Sequence, residues 1–579
     1  MQLSQLDWAI IGAFFVVSLI IGIVVSKKAG SSSKEFFLSG RNMPWWLLGI
    51  SMVATTFSAD TPNLVTDIVR KNGVSGNWVW WAFLLTGMLT VFVYSKLWRR
   101  SGVLTDLEFY EIRYGGKGAA FLRGFRAIYL GVFFNVMIMA TVCLAAIKIG
   151  GVMLGLTPIQ TLTIASIVTV LYSSLGGLRG VLITDFFQFI LAMVGTVWAA
   201  NILLDLPQVG GLDALLANEN VASLTNFLPD FSDTESLIPL LIIPLAVQWW
   251  SVWYPGSEPG GGGYIAQRML AAKDEQNAMG ATLLFNISHY ALRPWPWIII
   301  ALCSVVVFPN LESIQAAFPH IDPSILNDDL AYPAMLTFLP AGLLGLVIAS
   351  LVAAFMSTIS THLNWGSSYV VHDFYQRFVK PTATEKELVL VGRFSTIILM
   401  ICAALFALML SNALQAFNIL MQIGAGTGLI FILRWFWWRI NAWTEISGMV
   451  ISFIVAIVLE IAAPNLVPTD YKLLVGVAIT TAGWLLVTFL SQPETDETLT
   501  GFCVKVNPTV GWKKFRAANT TATGNLPLQI LGMFLGCTAV YTALFATGSF
   551  IYGNLIIGAV LALISTAAVS SLALIWKRF

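Results

Sequence analysis

One short stretch of this chain carries oxygen atoms spaced to hold a small cation. In the run 353–361, Ala-Ala-Phe-Met-Ser-Thr-Ile-Ser-Thr, residues Ala354, Ser357, Thr358 and Thr361 recur at i, i+3, i+4 and i+7. A helix places that pattern on a single face. The hydroxyls of Ser357 and Thr358, with the Ala354 carbonyl they free, supply three hard oxygen ligands of the kind that alkali and alkaline-earth cations take. The remaining ligands could be carbonyls near Ala54 and Phe57. The plainer reading bonds these hydroxyls back to their own helix or to a neighbouring one.

Two other stretches contradict the helices they lie in. Residues 54–62 read Ala-Thr-Thr-Phe-Ser-Ala-Asp-Thr-Pro, a helix-start signal in the middle of an apolar run, with Asp60 or Thr61 as N-cap and Pro62 in the first turn. Residues 254–263 read Tyr-Pro-Gly-Ser-Glu-Pro-Gly-Gly-Gly-Gly, where each glycine costs a helix about 1 kcal/mol and each proline about 3. Both helices are therefore expected to break. Inside a bilayer, freed backbone groups are tolerated only where protein or a water-filled cavity receives them, so the breaks are expected to line a site. Either one alone could reflect the ordinary frequency of glycine and proline in membrane helices.

Polar side chains gather near the breaks. Asp60 and Thr61 lie at the first, Trp253 and Glu258 at the second with Tyr264 just beyond, His289 and Arg293 in the following apolar run, and Asn418 and Gln422 in a later one. Arg293 falls about fifteen residues into its run, roughly 22 Å deep. One reading makes it a bidentate clamp for a substrate carboxylate. The other pairs it permanently with Asp60, Glu258 or Asp185 and leaves the cavity to a neutral solute.

The elements that must position these residues are membrane helices. Charged residues make up 11% of the 579, against 57% hydrophobic and a mean hydropathy of +0.80. Secreted, fibrous, disordered and water-soluble enzyme readings are excluded. The scattered Cys143, Cys303, Cys402, Cys503 and Cys537 fit neither a metal site nor a disulfide framework. A net charge of +1 argues against nucleic acid as a partner. About fifteen runs are long enough to cross a bilayer: 8–26, 43–69, 77–97, 123–153, 157–175, 180–204, 237–266, 278–308, 335–371, 387–411, 414–438, 442–463, 471–491, 526–547 and 551–576. The first lacks a basic n-region and a cleavage site, so it reads as a retained helix. Alternating the loops between two sides puts 26 of the 31 lysines and arginines on one of them. The positive-inside rule makes that side cytoplasmic, with the N-terminus outside and the C-terminus inside. The two breaks then fall in the first and sixth members of a ten-helix block, in helices that cross in opposite directions. Paired breaks of this kind point to the binding site of a secondary transporter built from two inverted five-helix halves.

Several stretches give the chain a specific likeness. They are Phe36-Phe37-Leu38-Ser39-Gly40-Arg41 ahead of Pro44-Trp45-Trp46, Gly176-Gly177-Leu178 with Thr184-Asp185-Phe186-Phe187-Gln188, and Gln267-Arg268-Met269-Leu270-Ala271-Ala272-Lys273. Further on come Tyr332-Pro333 and the Ala-Ala-x-x-Ser-Thr run with Asp373-Phe374-Tyr375 behind it. Over roughly residues 5–440 the sequence resembles the sodium:solute symporters, which have the inverted-repeat fold of the bacterial leucine transporter. The resemblance implies a sodium site made of the Ala54, Phe57 and Ala354 carbonyls and the Ser357 and Thr358 hydroxyls. It also implies a second sodium at Asp185, Ser360 and Thr361, although Asp185 could instead partner Arg179. Sugar-transporting members carry polar amides ahead of the Tyr-x-x-Gln-Arg stretch, where this chain has Gly261, Gly262 and Gly263 before Tyr264.

The expected fold is an all-α polytopic membrane protein with discontinuous first and sixth core helices. Residues 1–42 would form an extra helix and loop, 43–205 the first repeat, 206–236 an extracellular loop, 237–440 the second repeat, and 441–579 peripheral helices. The expected function is sodium-coupled symport of a small polar solute by a plasma- or inner-membrane carrier that works as a monomer. Sugars and polyols come first by family frequency; a carboxylate such as sialic acid comes second because of Arg293. An enzyme would need a catalytic constellation, and His289, His320, His362 and His372 form no His-Glu-x-x-His motif. A channel or a transporter-like sensor is the remoter alternative.

Overall fold

The structure, a computed structural model, describes all residues except 1–2, 30–37, 104, 174–177, 252–259, 411–417, 419, 425 and 517–523. An apolar chain with no water to bond its backbone must satisfy each peptide group within its own segment, which helices do. The described residues accordingly form helices and no sheet, with a single isolated bridge between Met43 and Ala272.

Ten of these helices are long and apolar enough to cross a membrane. They are Val74–Ser101, Gly116–Leu154, Leu178–Leu204, Glu275–Val307, Leu343–Val379, Glu385–Ala407, Ala442–Glu460, Thr469–Leu490, Leu526–Ile551 and Leu555–Arg578. Each falls on an expected run. Gln5–Ala29 and Pro158–Ser173 occupy two more. The run 414–438 differs from expectation, because its helix is interrupted by a turn at residues 426–427 before Gly428–Leu433.

The first expected break is present; of the second, residues 260–262 are non-helical and 254–259 lie outside the described residues. The second apolar run, 43–69, divides into Trp45–Thr56 and Asp60–Asn72. The N-cap of the second piece is Ala59 in place of Asp60 or Thr61, and Asp60 becomes its first residue. The other interrupted run ends one helix at Ala246 and resumes at Gly263–Ala271. A strand-like pairing joins the two broken segments, since Met43 N–H donates to the Ala271 carbonyl (3.2 Å) and Lys273 N–H donates to that of Met43 (3.1 Å).

Packing then sets the site. Trp45–Thr56 lies against Glu275–Ile287 and Leu178–Leu204, and the latter also packs on Leu343–Ser368. The hydroxyl-bearing helix is pinned at its start. Asp7 of the first helix accepts the backbone N–H groups of Gly342 (2.8 Å) and Gly345 (2.7 Å), supplying partners that a helix N-terminus lacks. A Cβ on Gly345 would stand 2.5 Å from the Asp7 backbone, so only glycine admits this contact.

The last two long helices pair with each other, and Leu526–Ile551 leans on Val74–Ser101. Tyr541 donates to the Trp81 carbonyl (2.8 Å), and the Trp295 indole donates to that of Leu544 (2.9 Å). On the lysine-rich side, Arg123 joins Glu111 (2.6 Å) and Asp373 (2.7 Å). On the other side Arg70 holds Asp328 (2.7 Å) and Lys148 holds Asp329 (2.5 Å).

Candidate ion and solute site

A helix that stops inside the protein leaves its last carbonyls without intrahelical partners. At the end of Trp45–Thr56 these carbonyls turn toward Leu343–Ser368. Thr358 Oγ1 donates to the Thr55 carbonyl (3.2 Å), and the Thr61 hydroxyl donates to that of Thr56 (3.4 Å). The Phe57 N–H closes the turn on the carbonyls of Val53 (2.8 Å) and Ala54 (3.2 Å). The structure therefore brings Thr358 against the first break. The carbonyl that Thr358 meets is that of Thr55, between the expected Ala54 and Phe57. Ala54, Phe57, Ala354, Ser357 and Thr358 are all buried.

Asp185 is the charged centre of this contact. Its Oδ1 accepts from Ser357 (2.6 Å), its Oδ2 accepts from Ser51 (2.6 Å), and Arg268 Nη2 stands 3.9 Å away. Arg268 also donates to the hydroxyls of Ser51 (3.2 Å) and Thr55 (3.3 Å) and lies over the Tyr264 ring. The partner of Asp185 is thus Arg268, in place of Arg179. Ser357 links the expected ion ligands to this carboxylate, while Ser360 donates back to the Ser357 carbonyl (3.1 Å). The Thr361 hydroxyl is buried with no hydrogen-bond partner.

The second gathering lies where a π-helical turn, Ser288–Leu292, interrupts its helix. Such bulges often mark functional positions, because they turn side chains out of the regular register. His289 Nδ1 accepts from Arg293 Nη2 (2.5 Å) and stands 3.4 Å from the Thr56 hydroxyl. Arg293 also reaches the Val53 carbonyl (3.4 Å) and lies over the Trp297 ring, which stacks on Phe57 at 5.4 Å. His289 and Arg293 therefore adjoin the first break. Of the three acids expected to lock Arg293, Asp185 is engaged by Arg268. Asp60 is out of ion-pair contact with Arg293 and accepts from Thr141 (3.2 Å). Glu258 lies outside the described residues, as does Trp253.

Two expected solute contacts point elsewhere. The Gln422 amide donates to the Lys472 carbonyl (3.1 Å) in a peripheral helix, and Asn418 is exposed. Both lie in the run whose helix is interrupted, so its faces do not follow the register of one continuous helix.

Sequence reasoning missed Ser51, Thr55, Thr141 and the role of Arg268. A signal existed for three of them. Ser51, Thr55 and Ser58 repeat at i, i+4 and i+7 up to the break, much as 354, 357, 358 and 361 do. Arg268 is a lone cation in the apolar stretch after the second break.

A many-helix membrane protein with an oxygen-lined contact at a helix break, steadied by a buried carboxylate, is a carrier by its architecture. The chain belongs to the sodium:solute symporter family, whose pattern matches residues 36–452. It is a sodium-coupled transporter and not an enzyme. It is similar to the sodium/glucose cotransporter of Vibrio parahaemolyticus, at 26% identity over 482 residues that cover 79% of this chain and 86% of that one. It is also similar to a sodium/mannose cotransporter of Bos taurus (26% over 485 residues, 78% and 79%) and to sodium/myo-inositol cotransporter 2 of Oryctolagus cuniculus (27% over 489 residues, 77% and 69%). In three dimensions it shares the fold of a sodium-coupled sialic acid symporter solved substrate-bound and outward-open. That match has a TM-score of 0.65 at 21% identity and covers 85% of this chain and 99% of that one.

Proposed function

We propose that the protein carries a small polar organic solute, a sugar or polyol, together with sodium by alternating access. The observation that carries this reading is the contact between the Thr358 hydroxyl and the backbone at the first break, with Ser357 beside it. Sodium would take the Ser357 and Thr358 hydroxyls with the Ala54, Phe57 and Ala354 carbonyls, and Asp185 would hold the Ser357 hydroxyl in place. Asp185 with Ser360 and Thr361 is the proposed position for an additional ion. Binding across the two helices favours one arrangement of the carrier, and by linkage sodium and solute raise each other's affinity by the same factor.

The solute would sit at the two breaks, among Asp60, Thr61, Trp253, Glu258, Tyr264, His289 and Arg293. The names of the relatives favour a neutral sugar or polyol. A second reading, an organic acid such as sialic acid, is favoured by the Arg293 guanidinium beside the first break. Residues 43–205 and 237–440 would be the inverted halves, in a monomer of the cell membrane with its N-terminus outside.

The test is sodium-dependent thermal stabilisation of the purified protein, with and without Ser357→Ala plus Thr358→Ala, followed by neutral sugars and organic acids in sodium. A sodium shift that the double variant loses, with a further shift from one solute class, supports the reading. Equal shifts from lithium, potassium and protons would overturn it.

A further inference from the structure

Among the described residues, most buried or half-buried carboxylates have a cation beside them. Asp185 has Arg268, Asp328 has Arg70, Asp329 has Lys148, Asp67 has Lys71, Asp373 has Arg123, and Glu445 has Arg126 and Arg434, each within 4.0 Å. Asp7 lacks a cation but accepts two backbone N–H groups and Ser4. Asp60 has the Thr141 hydroxyl on Oδ2 and feels the charge of Arg293 from outside ion-pair contact, while its buried Oδ1 has no well-aligned hydrogen-bond partner.

The groups around Asp60 are short of partners too. The Ser58 hydroxyl faces the Asp60 carboxylate, is 2% exposed and forms no well-aligned hydrogen bond. Asn63 stands one turn further along the same helix face. It is 1% exposed, and neither atom of its amide is bonded. An unpaired buried polar atom costs about 1–3 kcal/mol, so oxygens gathered beside one carboxylate gain from a ligand that they share.

We propose that Asp60, with the Ser58 and Thr141 hydroxyls and the Asn63 side-chain carbonyl, forms a further sodium site on the Asp60–Asn72 side of the first break. The four oxygens are hard ligands: one carries a full negative charge, two are hydroxyls and one is an amide carbonyl. That set suits a small cation whose remaining positions are filled by water. The field of the half-helix opposes a cation here, since its N-terminus is equivalent to about +0.5 charge. The carboxylate outweighs it, and the local charge stays negative. Occupation of this site would place a cation directly against the carboxylate, as lysine or arginine does for Asp185, Asp329 and Asp373. The inference rests on sodium being the coupling ion and adds an ion position that does not share Asp185, Ser357 or Thr358.

The experiment is equilibrium binding of sodium-22 to the purified full-length protein in lipid nanodiscs. Asp60→Asn is expected to lower saturation by one ion per chain, in the wild-type background and again in the Ser357→Ala plus Thr358→Ala background. Asn63→Ala keeps the charge and is expected to weaken one class of sites by about tenfold, some 1.4 kcal/mol, which keeps the test open if Asp60→Asn fails to fold. Wild-type stoichiometry and affinity in both variants overturns the proposal, and so does complete loss of binding in Ser357→Ala plus Thr358→Ala alone. Loss with Asp60→Asn but none with Ser357→Ala plus Thr358→Ala supports this site and counts against the ion position under Proposed function.

Discussion

Asp185 and Asp60 are both aspartates facing the first break, and the chain treats them in opposite ways. Asp185 is fully buried and holds two serine hydroxyls with a buried arginine beside it. Asp60 sits where the half-helix begins, with one threonine hydroxyl and a carboxylate oxygen left over. A charge whose partners all belong to the protein contributes to architecture, and one whose partners are incomplete is available to a ligand.

The largest way to break this comparison is to unpair the complete centre. Arg268→Gln leaves the Asp185 carboxylate buried without its cation, and such losses cost about 3–5 kcal/mol. We expect a matching fall in thermal stability, partly recovered when Asp185→Asn is added. No recovery in the double variant would mean that the two side chains are not coupled.

Next in size is the effect of sodium on stability. At a concentration a hundred times its Kd a ligand stabilises by about 2.7 kcal/mol. That increment should appear in calorimetry of the wild type and be much reduced by Ser357→Ala plus Thr358→Ala. Gln422→Leu removes one hydrogen bond to Lys472, worth about 1 kcal/mol, and should leave sodium and solute affinity unchanged. A change in uptake affinity would return Gln422 to the solute site. Asp60→Asn should alter sodium-free stability by less than about 1 kcal/mol, because only the Thr141 bond is weakened. A fall as large as that of Arg268→Gln would erase the contrast between the two aspartates.

A smaller effect belongs to the lysine-rich side. Burial pushes the Glu111 carboxyl up, but hydrogen bonds and charge from Arg123 and Arg377 outweigh it and hold the group below the usual carboxylate range. A depressed carboxylate stabilises the fold above its unfolded pKa and loses that contribution as pH falls through its folded value. Glu111→Gln should therefore flatten the acid limb of the stability curve by lowering stability at neutral pH, leaving the acid end little changed.

Much of this was legible in the residues. A proline and an N-capping residue in mid-span, or four glycines in a row, conflict with a continuous helix locally, so both breaks could be placed without a partner helix in view. Helical spacing of Ser357 and Thr358 sufficed to aim them together. The N-cap moved by one residue, to Ala59, because the last turn of Trp45–Thr56 and the first of Asp60–Asn72 settle jointly. The Gln422 contact was hidden for a different reason. Its helix is interrupted nearby, and the neighbour it meets, Lys472, is fifty positions away along the chain.

The sequence by itself determined an all-helical membrane protein, the places where two helices fail, and the hydroxyl face that meets one of them. Those follow from hydropathy, backbone geometry and a 3.6-residue period, all of which act within one segment. Only the tertiary structure decided that Asp185 belongs to Arg268, that Ser357 is its hydroxyl partner, that Gln422 meets the Lys472 carbonyl, and that Asp60 meets Thr141. Charges in an apolar interior choose partners by distance across helices, and distances between helices are set by how all the helices pack together.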